Sequence, residues 1–354
     1  MNNGRLRDPR SMSGTGYRTL QQGLVTFGRG LADLADADPR IVAGSADLTV
    51  STLLTEFAER HPSRFLQFGI SERNMVSAAA GLASTGLRPY VSTFAAFASL
   101  MCIEQIRTDL AYPEMPVRIV ATHAGLALGF LASSHHAIED LAALRGIPGL
   151  TVLSPADGIT AVAMVAASVD RPGPIYLRLG RGRDEGTYGP RAPEGYVPGA
   201  PHLARHGRDL LIVATGLMVG RSLDAADQLS TDGVDASVLD VHTISPFPID
   251  DVARAAAGHA MVLTVEEHNT VGGLGSMVAE AMLLGGVARP LVKHGVPDEY
   301  AIIGPPHHQY RYYGLDAEGI ATVARRSLAD PAGVPLGRAP WGDEDRHRIL
   351  AELA

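Results

Sequence analysis

A single carboxylate interrupts a run of small and apolar residues in Gln67–Ser84, QFGISERNMVSAAAGLAS. A strand-like stretch, Arg64–Phe68, ends in Gly69, and good helix formers follow Ser71, so Glu72 falls at the head of a helix otherwise built to pack. An acid there can complement the helix dipole from solvent, but its place in a helix otherwise built to pack raises the question of what it serves. Further residues with chemistry to offer lie at strand ends. His123 closes the apolar run of RIVATHAG, and His135 ends the loop Gly125–Ser134. Arg178 and Arg181 of PIYLRLGRG suit a phosphate or carboxylate, or an ordinary salt bridge at a domain edge. Phe94 and Phe97 stand three apart at a strand-to-helix junction, where aromatics fill a core or hold a flat ring.

Other patterns read as weaker. SSHHAIED puts His135, His136 and Glu139 close together, but helical metal sites use i, i+4 pairs and a third ligand is not evident. No metal ligand is assigned to this chain. VGGLGSMV, Val271–Val278, could cradle a phosphate at a helix start, although it lacks the full GxGxxG, and tight strand-to-helix packing is the alternative.

Positioning these residues takes alternating elements. Strands are expected at Arg40–Ala43, Pro89–Phe94, Val117–His123, Leu150–Ser154 and Ile175–Leu179, with helices at Ser71–Ser84, Ala95–Ala111, Ala137–Leu144 and Ile159–Val169 between them. That order predicts a doubly wound α/β domain on a largely parallel sheet, in which ligands sit beyond the carboxyl ends of strands. A Gly-, Pro- and charge-rich stretch follows, read as a linker over 186–206. Alternation then resumes with strands at Leu210–Ala214, Ala236–Val241, Met261–Glu266 and Pro290–His294, a second, smaller α/β domain. The expected organisation is a flexible tail 1–14, a first domain 15–185, the linker, a second domain 207–332 and a tail 333–354.

Bulk properties fit two soluble domains: 354 residues, 46% hydrophobic, 19% charged. A net charge of −8 argues against nucleic acid or an anionic membrane as partner. Cys102 is the sole cysteine, so no disulfide framework exists and a cytoplasmic setting is expected. No stretch reads as a signal peptide or a membrane span.

Taken in order, the blocks resemble the C-terminal half of transketolase, a pyrimidine-binding domain followed by a transketolase C-terminal domain. GSADL, FGISERNM, STFAAF, ATHAGLALG, SHHAIEDLAALRGIPGLTVLSPAD and VEEHNTVGGLGSMVAE carry the resemblance, which runs from about Arg18 to Leu328. It implies thiamine diphosphate as cofactor, with Glu72 hydrogen-bonding the aminopyrimidine ring and promoting proton removal from the thiazolium carbon. By position it implies that Phe94 and Phe97 hold the pyrimidine and that Asp47 and Leu48 lie near the thiazolium. It gives His135 a contact with the donor ketose and the bound intermediate. Ser51, His123 and Arg181, with Arg178 nearby, fall where the family holds a sugar phosphate, and Arg18 is a looser match.

Two departures from the family pattern matter. The Gly-Asp-Gly motif that holds diphosphate and Mg²⁺ (or Ca²⁺) is absent from the sequence. The resemblance therefore implies the second chain of a split transketolase, active with an N-terminal subunit that carries that motif, as an α2β2 assembly in which this chain self-associates. The loop before His135 reads GFLASSH, and Leu131 stands where the family has an aspartate that contacts the acceptor's hydroxyl. Leucine cannot accept that bond, and Phe130 points the same way, to a less hydroxylated acceptor. The competing readings are a deoxyxylulose-phosphate-synthase-like carboligase, the beta subunit of a 2-oxo acid dehydrogenase, and a non-catalytic scaffold of the same fold.

Overall fold

The computed structural model describes residues 22–181, 186–330 and 341–353. Arg18 and the stretch 1–14 lie outside the described residues. Over those residues the chain forms two compact units, one from Met1–Ala124 and Ala143–Pro198, the other from Gly125–Ala142 and Gly199–Ala354. The His135 segment thus groups with the second unit, although sequence order puts it inside the first domain.

The first unit is built on parallel strands: β1 (Ile41–Ser45), β2 (Phe65–Gln67), β3 (Arg88–Phe94), β4 (Arg118–Thr122), β5 (Thr151–Leu153) and β6 (Ile175–Arg178). They run in the order β5-β6-β4-β3-β1-β2, each pairing parallel. β1, β4 and β6 are buried along their whole length, which is why their apolar residues run together rather than alternate with polar ones; Arg118 opens β4 and Arg178 closes β6, both buried. The chain leaves β1 for β2 on one side and returns to β3 on the other. The β1/β3 boundary is therefore a topological switch point, the position at which open α/β sheets bind ligands beyond the carboxyl ends of their strands.

The crossover helix Glu72–Ser84 forms as expected. Its buried residues, Glu72, Met75, Val76, Ala79 and Ala83, fall at i, i+3, i+4, i+7 and i+11, one stripe of a helix. The acid belongs to the packing face. The helix expected over Ala95–Ala111 is instead broken into a π-helical turn at Phe97–Met101, a short α-helical piece at Ile103–Gln105 and a second π-helical turn at Ile106–Ala111. Inserted residues of this kind leave no signal in hydrophobic spacing, and such turns concentrate at functional sites.

The segment read as a linker does more than connect. Thr187 and Tyr188 donate their N–H groups to Asp157 Oδ2 at 2.7 and 3.0 Å, and buried Tyr196 joins the core of the first unit. Further on, His202–Arg205 is a strand, β7. It was missed because it is short, polar at both ends and pairs on one side only, as the antiparallel edge of its sheet.

The second unit is a five-stranded sheet in the order β12-β11-β8-β9-β7. It comprises β7, β8 (Leu210–Ala214), β9 (Ala236–Asp240), β11 (Met261–Asn269) and β12 (Leu291–Val296), with a short strand β10 (Thr243–Ser245) between β9 and the helix Ile249–Ala257. β11 runs to Asn269, beyond the expected Glu266, because the polar residues Glu266–Asn269 are themselves buried and hydrogen-bonded. The chain's final described stretch carries the helix Asp343–Leu353.

Candidate active site

In the first unit, β2, β1, β3, β4 and β6 are successive neighbours, so their carboxyl ends share one edge. Along that edge lie Glu72 after β2, Asp47, Leu48 and Ser51 after β1, Phe94 and Phe97 at β3, His123 after β4, and Arg178 and Arg181 at β6. The sequence-predicted residues of this unit are thus gathered on one side of the sheet by parallel topology.

Glu72 is 5% exposed, which removes the reading of a solvent-facing acid. Among the described residues its carboxylate has one hydrogen bond, a long one from Thr93 Oγ1 at 3.4 Å. Thr93 precedes Phe94, so the acid is placed at the end of β3 beside the switch point. A buried carboxylate held this lightly invites a further donor, because an incompletely paired buried charge is costly. The N-terminal end of its own helix lowers part of that cost. Cys102 lies close by; burial, with the charge of Glu72 adding, pushes its thiol up to about 12, so it is not a nucleophile here.

Phe94 is buried and Phe97 half-buried, with ring centroids 5.8 Å apart and planes 36° from each other. Phe94 also meets the His123 ring, with centroids 4.4 Å apart and planes at 51°. His123 is buried, with Nδ1 3.0 Å from Thr122 Oγ1. Its φ is +59° and that of Asp47 is +60°, left-handed values that cost energy for residues other than glycine. Strain of this kind concentrates at ligand sites. Arg178 is buried, in register with Ala121 of β4, and Arg181 is half-buried. Ser51 and Asp47 are exposed and Leu48 half-buried.

Two residues that shape this edge were not singled out from the sequence. Thr93 supplies the bond to Glu72, and Gln67 organises the β1 loop: its Oε1 accepts from Asp47 N–H at 2.7 Å and its Nε2 donates to Thr49 Oγ1 at 3.0 Å. Gln67 stands in the same quoted run as Glu72, at the end of β2, so its position along the edge was available as a signal.

His135 belongs to the second unit, half-buried, with Nδ1 2.9 Å from Ser134 Oγ. The short helical segment Gly129–Ser134 before it is interrupted at Ala132, φ +59°. Phe130 and Leu131 on that segment are 64% and 47% exposed. Glu139 is pushed above the usual carboxylate range by burial, and His136 below the usual histidine value for the same reason. Among the described residues no group of three His, Cys, Asp or Glu side chains is placed to hold a metal ion.

At the VGGLG loop an internal carboxylate stands where an external phosphate was considered: Glu266 accepts from Leu274 N–H at 2.6 Å and from Gly275 N–H at 2.9 Å. A Cβ on Gly273 would stand 2.1 Å from Glu266 Oε2 and 2.6 Å from His268 Nδ1, so glycine is there to let a buried carboxylate cap the helix. No helix among the described residues is long and apolar enough to cross a membrane.

Comparison with known proteins agrees with this layout. Residues 25–184 match the family "Transketolase, pyrimidine binding domain" and residues 199–320 match "Transketolase, C-terminal domain". A "Putative transketolase C-terminal section" of Methanocaldococcus jannaschii is 35% identical over 305 residues, 86% of this chain and 95% of the relative. One of the subunits of an apulose-4-phosphate transketolase of Phocaeicola vulgatus is 36% identical over 294 residues, 83% of this chain and 93% of the relative. Among solved structures, a "Split gene transketolase, inactive beta4 tetramer" superposes with a TM-score of 0.75 at 37% identity, covering 86% of this chain and 97% of that one.

Proposed function

The chain belongs to the transketolase family, and we propose that it is the C-terminal subunit of a split transketolase that moves a two-carbon ketol unit from a phosphorylated ketose to an aldehyde acceptor. Family membership implies thiamine diphosphate. The observation that carries the reading is Glu72, a buried acid with one long hydrogen bond, at a switch point flanked by Phe94 and by a strained Asp47. Those residues fit the pyrimidine end of that cofactor. When bound, thiamine diphosphate supplies the carbon nucleophile that accepts and hands on the ketol unit.

This chain's residues would do the rest. Glu72 holds a proton at the pyrimidine ring nitrogen, and a dry setting keeps that bond strong. Phe94 and Phe97 offer ring faces to the pyrimidine, and Leu48 with Asp47 borders the thiazolium. Ser51, His123, Arg178 and Arg181 bind the substrate's phosphate, for which guanidinium groups are suited. His135 holds the donor's hydroxyl groups. Exposed Phe130 and Leu131 favour an acceptor with fewer hydroxyls.

Mg²⁺ (or Ca²⁺) and the diphosphate are assigned to an N-terminal subunit that carries the Gly-Asp-Gly motif, in an α2β2 assembly in the cytoplasm. The split arrangement draws on relatives of matching length, one described as a C-terminal section and one as a transketolase subunit. Calorimetric titration of thiamine diphosphate and Mg²⁺, into this chain alone and into its mixture with such an N-terminal chain, tests the proposal. Binding in the mixture only is expected; tight binding to the lone chain would overturn it. Release of CO₂ from pyruvate by the mixture would instead identify a deoxyxylulose-phosphate-synthase-like carboligase.

A further inference from the structure

At the end of β11, four successive residues tie down separate pieces of the second unit. Glu266 caps the helix Leu274–Leu284, as described. Glu267 Oε1 accepts from Leu126 N–H at 2.7 Å and from Tyr310 O–H at 2.6 Å. His268 Nε2 accepts from Ala142 N–H at 3.3 Å, which leaves Nδ1–H to donate to Asn269 O at 2.7 Å and makes the ring neutral. Asn269 N–H donates to Ile138 O at 2.7 Å. Glu267, His268 and Asn269 thus all fasten the segment Gly125–Ala142, which carries His135.

Glu267 is the most demanding of the set. It is 3% exposed, and Gly125 is shaped around it: φ is +64°, and a Cβ there would stand 2.2 Å from Glu267 Cδ. Gly125 and Ala137 exchange backbone hydrogen bonds at 3.0 Å each, so the segment is closed on itself beside the carboxylate. On the far side, the Arg221 guanidinium lies 3.5 Å over the Tyr310 ring that donates to Glu267. Arg221, Tyr310, Glu267 and Leu126 form a chain of contacts ending on the main chain that leads into the His135 loop.

We propose that Glu267 is a positioning residue for the donor step: its carboxylate fixes Gly125–Leu126 and, through the bridge to Ala137, sets where His135 stands. This rests on the reading of His135 as the donor-binding histidine. A shift of about an ångström in such a group is enough to lower a rate on the order of 100-fold.

The test compares Glu267→Gln, Tyr310→Phe and His135→Ala in the two-chain complex. It uses hydrogen exchange, single-turnover donor consumption and cofactor affinity. In E267Q, exchange over Gly125–Ala142 rises about tenfold while the helix Leu274–Leu284 is unchanged. Donor consumption falls about 10- to 100-fold, cofactor affinity holds, and Y310F shifts the same way by less. Unchanged exchange in E267Q, or loosened exchange with donor consumption at the wild-type rate, overturns the proposal. Cofactor affinity falling in step with turnover overturns it too, as the mark of a general structural role. Full donor turnover in H135A defeats the underlying reading of His135, whatever E267Q does to exchange, and removes the catalytic part of this proposal with it.

Discussion

Glu72 sits on the buried stripe of its helix, where an apolar side chain is the ordinary choice, and the proposed function gives it a partner there. In a site removed from water, a hydrogen bond to a carboxylate is stronger than at the surface. Glu72→Gln keeps the shape of the side chain but replaces a carboxylate, which accepts at both oxygens, with a neutral amide. Ketol transfer by the two-chain complex is expected to fall about 10²- to 10⁴-fold, with the folded state intact by circular dichroism. Unchanged turnover would return the chain to the scaffold reading. Phe94, Phe97 and His123 stand out in the sequence by a different signal, their positions where apolar strand runs end. Thr93 and Gln67 do not, because a threonine in a strand and a glutamine at its end are ordinary until their neighbours are placed.

At the scale of elements, the glycines of VGGLG show how one motif supports opposite readings. A glycine-rich turn before a helix is equally suited to an external anion and to an internal one. The internal anion, Glu266, lies five residues upstream on β11, and only the pairing of strand and helix brings it over the N–H groups. Gly273→Ala forces a methyl group against Glu266 and His268 at a position whose φ of −81° any residue tolerates, so its cost is purely steric. A loss of roughly 1–3 kcal/mol is expected, read as a lower urea midpoint with the slope unchanged. An unaltered midpoint would show that Glu266 moves aside at no cost. β7 and the π-helical turns after Phe97 belong to the same lesson: an edge strand and an inserted residue are decided by neighbours, not by local spacing.

Across the whole molecule, buried histidines make the second unit acid-sensitive. Burial pushes His242 and His294 down to about 4, with the nearby His202 adding to the shift at His242. Both are therefore neutral in the folded state, while an unfolded chain takes up protons below about 6.5. The unfolded state then binds more protons than the folded one, so stability falls as pH drops from about 6.5 towards 4 and is fully present above that window. Each histidine contributes about 1.4 kcal/mol per pH unit within it. Thermal unfolding followed from pH 7 to pH 4 should show a steep drop in melting temperature, with loss of hydrogen-exchange protection first in Gly199–Asp330; a flat profile would contradict it. The sequence by itself determined the alternating α/β elements, the buried runs of the parallel strands, the family, and the strand-end order of Glu72, Phe94, His123 and Arg178, because burial and period are local properties of the chain. Only the tertiary structure decided that Glu72 is dry, that Glu266 fills its own loop, and that the His135 segment belongs to the unit of Glu267. Each of these depends on which distant groups meet, and hydrogen bonds between residues more than a hundred positions apart, such as Glu267 with Leu126, leave no trace in local pattern.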